Sequence, residues 1–241
     1  LAIVGILAFF LFLAVGSVIY FFIPSPTCFD NSQNQEEEGV DCGGSCKPCA
    51  EQVRDLSILW TRFFSIRTGG YDIAALVENR NQFYAATRLV YAVKMYDKEN
   101  VLIAVRDGIT YANIGERFII FESNFPAQHR IPARAILEIR EVAWVSREAK
   151  PLPVDILSKD ISLVGSETTP RVEVRIKNRA SEVFRNIEAY AILLSANDEA
   201  IGASRTFLDE LGLQEEAKLI FTWPELIVGV SSAEIYLRIA P

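Results

Sequence analysis

The chain has 241 residues, and its 24 basic against 31 acidic side chains leave a net charge of −7, while half of all residues are hydrophobic. That acidic balance disfavours nucleic acid and anionic membrane surfaces as partners, since both carry negative charge themselves. His129 is the single histidine, so general acid–base chemistry would rest on carboxylates, and no carboxylate pair stands out from the solvated background. The expectation is a protein that is not an enzyme.

Residues 1–23 form the first element. From Leu1 to Phe22 there is no charged side chain, and Ser17 and Tyr20 are the polar ones. About 23 helical residues at 1.5 Å each span roughly 34 Å, enough for the hydrocarbon core of a bilayer. Tyr20, Phe21 and Phe22 stand where an interfacial aromatic belt lies, and Pro24 and Pro26 end the helix. This predicts a single transmembrane anchor with the bulk of the chain on one side. A cleaved signal peptide would have a shorter apolar core and a small-residue cleavage site. Lipid attachment at Cys28 would want a small residue before it, and Pro26-Thr27 stands there instead.

Residues 24–50 hold all four cysteines, Cys28, Cys42, Cys46 and Cys49. The segment has too few apolar residues to hold a core by burial, so crosslinks must order it. An even cysteine count in one small segment predicts two disulfides and an oxidising compartment, which places the bulk outside the cytoplasm. Three pairings are open. The short step from Cys46 to Cys49 and the turn permitted by Gly43-Gly44 favour Cys28–Cys46 with Cys42–Cys49. Zinc is an alternative, but Cys46-x-x-Cys49 is the lone knuckle spacing. A redox Cys-x-x-Cys would want a helix N-terminus after its first cysteine. Calcium is the other candidate ligand, through Asp30, Asn34, Glu37 and Asp41, set against a solvated acidic loop.

Residues 51–146 read as a first β domain. The apolar run 56–66, which includes Trp60, predicts a strand, preceded by a short helical turn near 51–56. Ile73, Ala75 and Val77 alternate, as do Leu89, Tyr91, Val93 and Met95, giving strands with one buried face. Asp97-Lys98-Glu99-Asn100 is a polar hairpin turn into 101–105, and 118–121 and 135–144 supply further strands. His129 falls in a loop with no flanking acid. Residues 147–155, with Pro151 and Pro153, form a linker. Residues 156–241 are a second β domain, with strands on Val172, Val174 and Ile176, then at 187–194, 219–223 and 235–239. Trp60, Trp144 and Trp223 lie in strand patterns and are expected in the cores.

The two β domains read as copies of one another. Glu78-Asn79-Arg80 aligns with Lys177-Asn178-Arg179 at a spacing of 99, and Tyr91-Ala92-Val93 aligns with Tyr190-Ala191-Ile192 at the same spacing. Ile120-Phe121 aligns with Ile220-Phe221, and Ile139-Arg140 with Leu237-Arg238, each after a one-residue shift. The copies predict equivalent positions for Asn79 and Asn178, and for Tyr91 and Tyr190 a shared sheet position and direction. Six or seven short strands per copy predict two tandem antiparallel β-sandwiches.

Two resemblances follow from these residues. The cysteine segment resembles a motif of bacterial surface proteins that ends in Asp-Cys-Gly-Gly-x-Cys-x-x-Cys, matched by Asp41, Cys42, Gly43, Gly44, Cys46 and Cys49. Asn31 stands where that motif has glycine. The repeated domain, with Tyr91-Ala-Val-Lys-Met-Tyr-Asp97 in its first copy, resembles the bacterial FxLYD-type immunoglobulin-like domains. The second copy, Tyr190-Ala-Ile-Leu-Leu-Ser-Ala196, lacks the Tyr-Asp pair. The resemblance implies an immunoglobulin-like fold; the function expected of an anchored chain with a disulfide-tied neck and two such domains is a structural or protein-binding role at a bacterial cell surface, with a protein partner. The alternative is a membrane-tethered accessory subunit of an envelope enzyme or of a secretion or pilus-type complex. Pilins with an N-terminal apolar helix resemble one another in a glutamate at the fifth position, where Gly5 stands here.

Overall fold

The computed structural model describes residues 27–46, 49, 53–127, 129–146, 156–164 and 170–239. The expected anchor at 1–23 and the linker at 147–155 lie outside the described residues. Among those described, no helix is long and apolar enough to cross a membrane. The chain falls into two compact units, one ending at Val53 and one from Arg54 onward.

Among its described residues the second unit is all-β, with twelve strands. In chain order these are β1 (Ser57–Arg67), β2 (Gly70–Glu78), β3 (Tyr84–Tyr96), β4 (Leu102–Ala112), β5 (Arg117–Pro126) and β6 (Arg134–Ser146). Then follow β7 (Ile156–Val164), β8 (Arg171–Asn178), β9 (Phe184–Leu194), β10 (Ala200–Leu211), β11 (Glu216–Thr222) and β12 (Ser232–Ile239). They pair antiparallel in four three-stranded sheets, β1-β2-β5, β4-β3-β6, β11-β8-β7 and β10-β9-β12. The first six strands and the last six thus share one topology, strand for strand. The expected helical turn near 51–56 is absent over 53–56, where the chain is irregular up to β1.

Each half buries a core between its two sheets. In the first half Ile73, Val77, Leu89, Met95 and Phe118 meet across the gap, and in the second Val172, Ile176, Ile187, Leu193 and Phe221 do so. A third cluster joins the halves. Phe64, Ala74, Leu76 and Ile119, on the outer face of β1-β2-β5, pack on Tyr190, Ile192, Ala200 and Ala203 of β10-β9-β12. Trp223 is in a core as expected and Trp144 packs against one, but Trp60 packs in this joining cluster instead.

Asn79 and Asn178 take the equivalent places that their spacing predicts. Each is fully buried where β2 or β8 ends. The Asn79 side-chain amide donates to the carbonyls of Tyr84 (2.9 Å) and Asn113 (2.8 Å), and its oxygen accepts from Asn81 N–H (3.0 Å). Asn178 donates to Glu182 (2.8 Å), Leu211 (3.1 Å) and Gly212 (2.9 Å), and accepts from Ala180 N–H (2.8 Å). One side chain therefore satisfies the backbone of two loops that would otherwise bury unpaired groups.

The tyrosines depart from their expectation. Tyr91 and Tyr190 lie on the equivalent strands β3 and β9 but face opposite ways, Tyr91 into its core and Tyr190 into the joining cluster. Asn79 reaches the carbonyl five residues on, whereas Asn178 reaches the one four residues on, so the second loop is one residue shorter. Beyond it the hairpin bond from Asp97 N–H to Val101 recurs from Ser195 N–H to Glu199, a spacing of 98. Strand side chains alternate, so a slip of one residue flips the face. The register also aligns Ile120 with Leu219, since Ile120 pairs with Ala75 and Leu219 with Val174, which displaces the expected Ile120–Ile220 match. Ile139 and Leu237 keep their match, paired with Tyr91 and Ala189.

Candidate functional site

The cysteine segment forms two disulfides, Cys28–Cys46 and Cys42–Cys49, with Cα separations of 5.6 and 4.8 Å. This is the favoured pairing. Asp41 closes the loop from within, since its carboxylate accepts the backbone N–H groups of Asp30 (2.9 Å) and Asn31 (3.1 Å). Asp30 accepts from Thr27 N–H (3.1 Å), Ser32 N–H (2.9 Å) and the Asn34 amide (3.0 Å). The Asn34 bond is the main cause that holds the Asp30 carboxyl below its usual range. Glu37 is buried and accepts from Asn34 N–H at 3.0 Å. At Gly43 and Gly44, both at positive φ, a Cβ would lie 2.6 Å from Glu38 and 2.4 Å from the Glu36 carbonyl oxygen, so the loop closes only on glycines.

These contacts bear on the calcium and zinc readings. Asp30, Glu37 and Asp41 each spend carboxylate oxygens on backbone N–H groups of the same loop. Among the described residues, the one gathering of potential metal ligands is Cys28, Cys46 and Glu37. Both sulfurs there are in a disulfide, so they are not thiolate ligands, and the 3.1 Å approach of Cys46 Sγ to Glu37 Oε1 involves no S–H donor.

The junction between the halves is the second candidate region, and its centre is Arg238 on β12, 1% exposed. The guanidinium lies 4.1 Å from the Tyr111 ring and 4.4 Å from the Phe118 ring. It donates to Glu116 Oε1 (3.0 Å), Thr110 Oγ1 (3.1 Å) and the Tyr111 carbonyl (2.5 Å). Burial, the largest single effect, opposes its charge, yet Glu116, Tyr111 and Tyr190 together hold its pKa above the ordinary value. Burial pushes the neighbouring Tyr111 hydroxyl up to about 12. The equivalent residue of the first half, Arg140, is 38% exposed and pairs with Asp107 at 2.8 Å. The sequence paired these two arginines as repeats and gave no sign of their opposite roles.

Three tyrosines each donate to a carboxylate at 2.7 Å, Tyr91 to Glu122, Tyr190 to Glu188 and Tyr236 to Glu234. Burial first, and the adjacent carboxylate second, raise all three hydroxyls well above the usual phenol. They are hydrogen-bond donors at every ordinary pH, not nucleophiles. Gly108 lies under the Tyr91 ring, where a Cβ would stand 2.2 Å from the ring.

The third candidate is a groove of about 500 Å³ beside β1, lined by residues 61–65, 133–135 and Ala200 with Ile201. Arg62 and Arg134 lie along it; Arg62 pairs with Glu199 at 3.2 Å, and Arg134 stacks on Tyr96 at 4.8 Å. A smaller cleft of about 220 Å³ lies on β7-β8-β11 at Ser162, Glu173 and Lys218. His129 is exposed in the loop between β5 and β6, outside both. Comparison with protein-family models and with curated proteins finds no match to this chain.

Proposed function

We propose that the chain is a single-pass, membrane-anchored extracytoplasmic protein with a structural or protein-binding role at a bacterial cell surface, and not an enzyme. In this reading residues 1–23 are the anchor, residues 24–50 a disulfide-tied neck, and the two halves of the second unit immunoglobulin-like sandwiches of the FxLYD type. The observation that carries it is the pair of disulfides in a core-poor segment that follows the apolar run directly in sequence. Disulfides of this kind persist in oxidising compartments. Closing such loops stabilises the ordered segment by about 2–4 kcal/mol per bridge.

The arrangement of the second unit supports a scaffold over a catalyst. Its most buried polar groups, Asn79, Asn178 and Arg238, are committed to backbone and to the junction. The test is topology in intact cells. Protease added outside should release a fragment beginning near residue 51, and thiol labelling without reductant should leave all four cysteines unmodified. Four labelled cysteines, or a second unit protected until the cells are opened, would overturn the reading.

A further inference from the structure

We infer that the edge of β1 is a docking site for an extended, acidic peptide strand, which joins the β1-β2-β5 sheet as a fourth strand. The inference deepens the binding role proposed above but rests on the geometry of this edge alone, independent of where the protein resides.

Among the described residues, strand β1 is hydrogen-bonded on one side only, to β2. Between its bulges at 58–60 and 65–67 the strand keeps regular register, so residues 61–65 form a straight ladder. In an antiparallel pair, alternate residues turn their N–H and C=O away from the partner. Residues 61–65 line the groove, and neither strand pairing nor any other backbone hydrogen bond links them to residues 133–135 or 200–201 on its other walls. Natural edges are shielded by proline, lysine or bulges, because an open ladder recruits another strand; the two bulges of β1 bound 61–65 and leave that stretch itself regular. No proline or lysine occurs in this stretch, Thr61-Arg-Phe-Phe-Ser65.

Charge selects the occupant. Arg134 lines the groove, is exposed, and has no carboxylate partner among the described residues; its one contact is the face of Tyr96. Arg62 is 40% exposed, and its partner Glu199 is 57% exposed, so that pair is open to exchange with an incoming carboxylate. Added strands gain affinity from the main chain and specificity from alternate side chains. Two cations beside an open ladder therefore select a strand with acidic side chains at alternate positions.

The probes are labelled eight-residue peptides alternating Thr with Glu or Thr with Lys, titrated into the purified full chain at low salt. The Thr-Glu peptide is expected to saturate at least ten-fold more tightly than the Thr-Lys peptide. Methylating alternate backbone nitrogens on its ladder side should abolish binding. Arg134→Glu should reverse the preference and Arg134→Lys should keep it; both variants should retain the β-rich circular dichroism of the parent, since Arg134 is exposed. Amide exchange at 61–65 should slow when the Thr-Glu peptide is bound. Equal binding of both peptides, binding of neither up to millimolar concentration, or indifference to Arg134→Glu would overturn the inference. So would a dimer whose residues 61–65 are protected without peptide, since a second copy would then occupy the edge. None of these results bears on the topology experiment, so the two readings fail separately.

Discussion

Strands β2 and β8 hold the same place in the two halves and differ in what lies behind them. On the core face both are aliphatic, with Ile73, Ala75 and Val77 matched by Val172, Val174 and Ile176. On the outer face β2 carries Ala74 and Leu76, buried against the other half, where β8 carries Glu173 and Arg175. Glu173 pairs with Arg171 at 2.5 Å and Lys218 at 2.6 Å. A strand covered on both sides becomes a continuous apolar run, and one covered on a single side alternates. The same contrast runs through β9 and β3: Tyr190, Ile192 and Leu194 pack in the joining cluster, while the opposite outer sheet bears Lys94 paired with Glu138. The outer faces of β4-β3-β6 and β7-β8-β11 thus carry paired charges, with exposed Ile109 and Ile220 among them, while the middle faces are buried and apolar, as in stacked repeats whose terminal faces meet water.

The most severe way to break this comparison is to give β2 the outer face of β8. Ala74→Glu places a carboxylate in a site with 0% exposure, so a loss of about 4 kcal/mol or more is expected. Denaturant melts measure it, with limited proteolysis reporting separation of the halves. Next is Arg238→Ala, which leaves Glu116 without its buried partner and should cost about 3–5 kcal/mol. Arg140→Ala, at the solvated equivalent, should cost less than about 1 kcal/mol in the same melts. Equal losses at 140 and 238 would erase the distinction between covered and open faces.

Asn79→Ala and Asn178→Ala sharpen the equivalence of the halves. Each strands buried backbone groups of two loops, so each should lose about 1–3 kcal/mol, and by similar amounts. The smallest expected effect is at the open face, where Glu173→Ala removes two surface pairs and should leave the melting midpoint at neutral pH only slightly lower. The Lys218 hydrogen bond, ahead of the opposing effect of burial, depresses the Glu173 carboxyl in the folded state. A depressed carboxylate contributes stability above its unfolded pKa, about 4.3, and that contribution fades as pH falls through the lower folded value. Thermal melts of parent and variant should therefore converge in acid and differ at neutral pH. A difference that grows below pH 4 would contradict the assignment.

Much of this was legible in the residues because it depended on local chemistry. Four cysteines around Gly43-Gly44 left few comfortable bridges, and the favoured pairing formed. The Asn-Arg repeats marked two strand ends because a buried amide is the economical way to satisfy two loops. Strand β10 shows no clear alternation in the sequence, because Gly202, Ser204 and Thr206 interrupt the apolar pattern in Ala200–Leu211. The groove beside β1 left no signal, because its walls come from residues about 70 and 140 positions apart.

The sequence by itself determined the β character, the doubling of the domain and the crosslinking of the neck, since alternation, repeat spacing and thiol proximity are properties of the chain. Tertiary structure alone decided which faces are covered. One residue fewer after Asn178 than after Asn79 shifts the strand register, turns Tyr190 outward where Tyr91 turns inward, and so lines the joining cluster. It also decided that Arg238 is buried and Arg140 solvated. A side chain's direction is set by strand parity, but its environment depends on what packs against that face, and here the packing partner lies more than a hundred residues away in sequence.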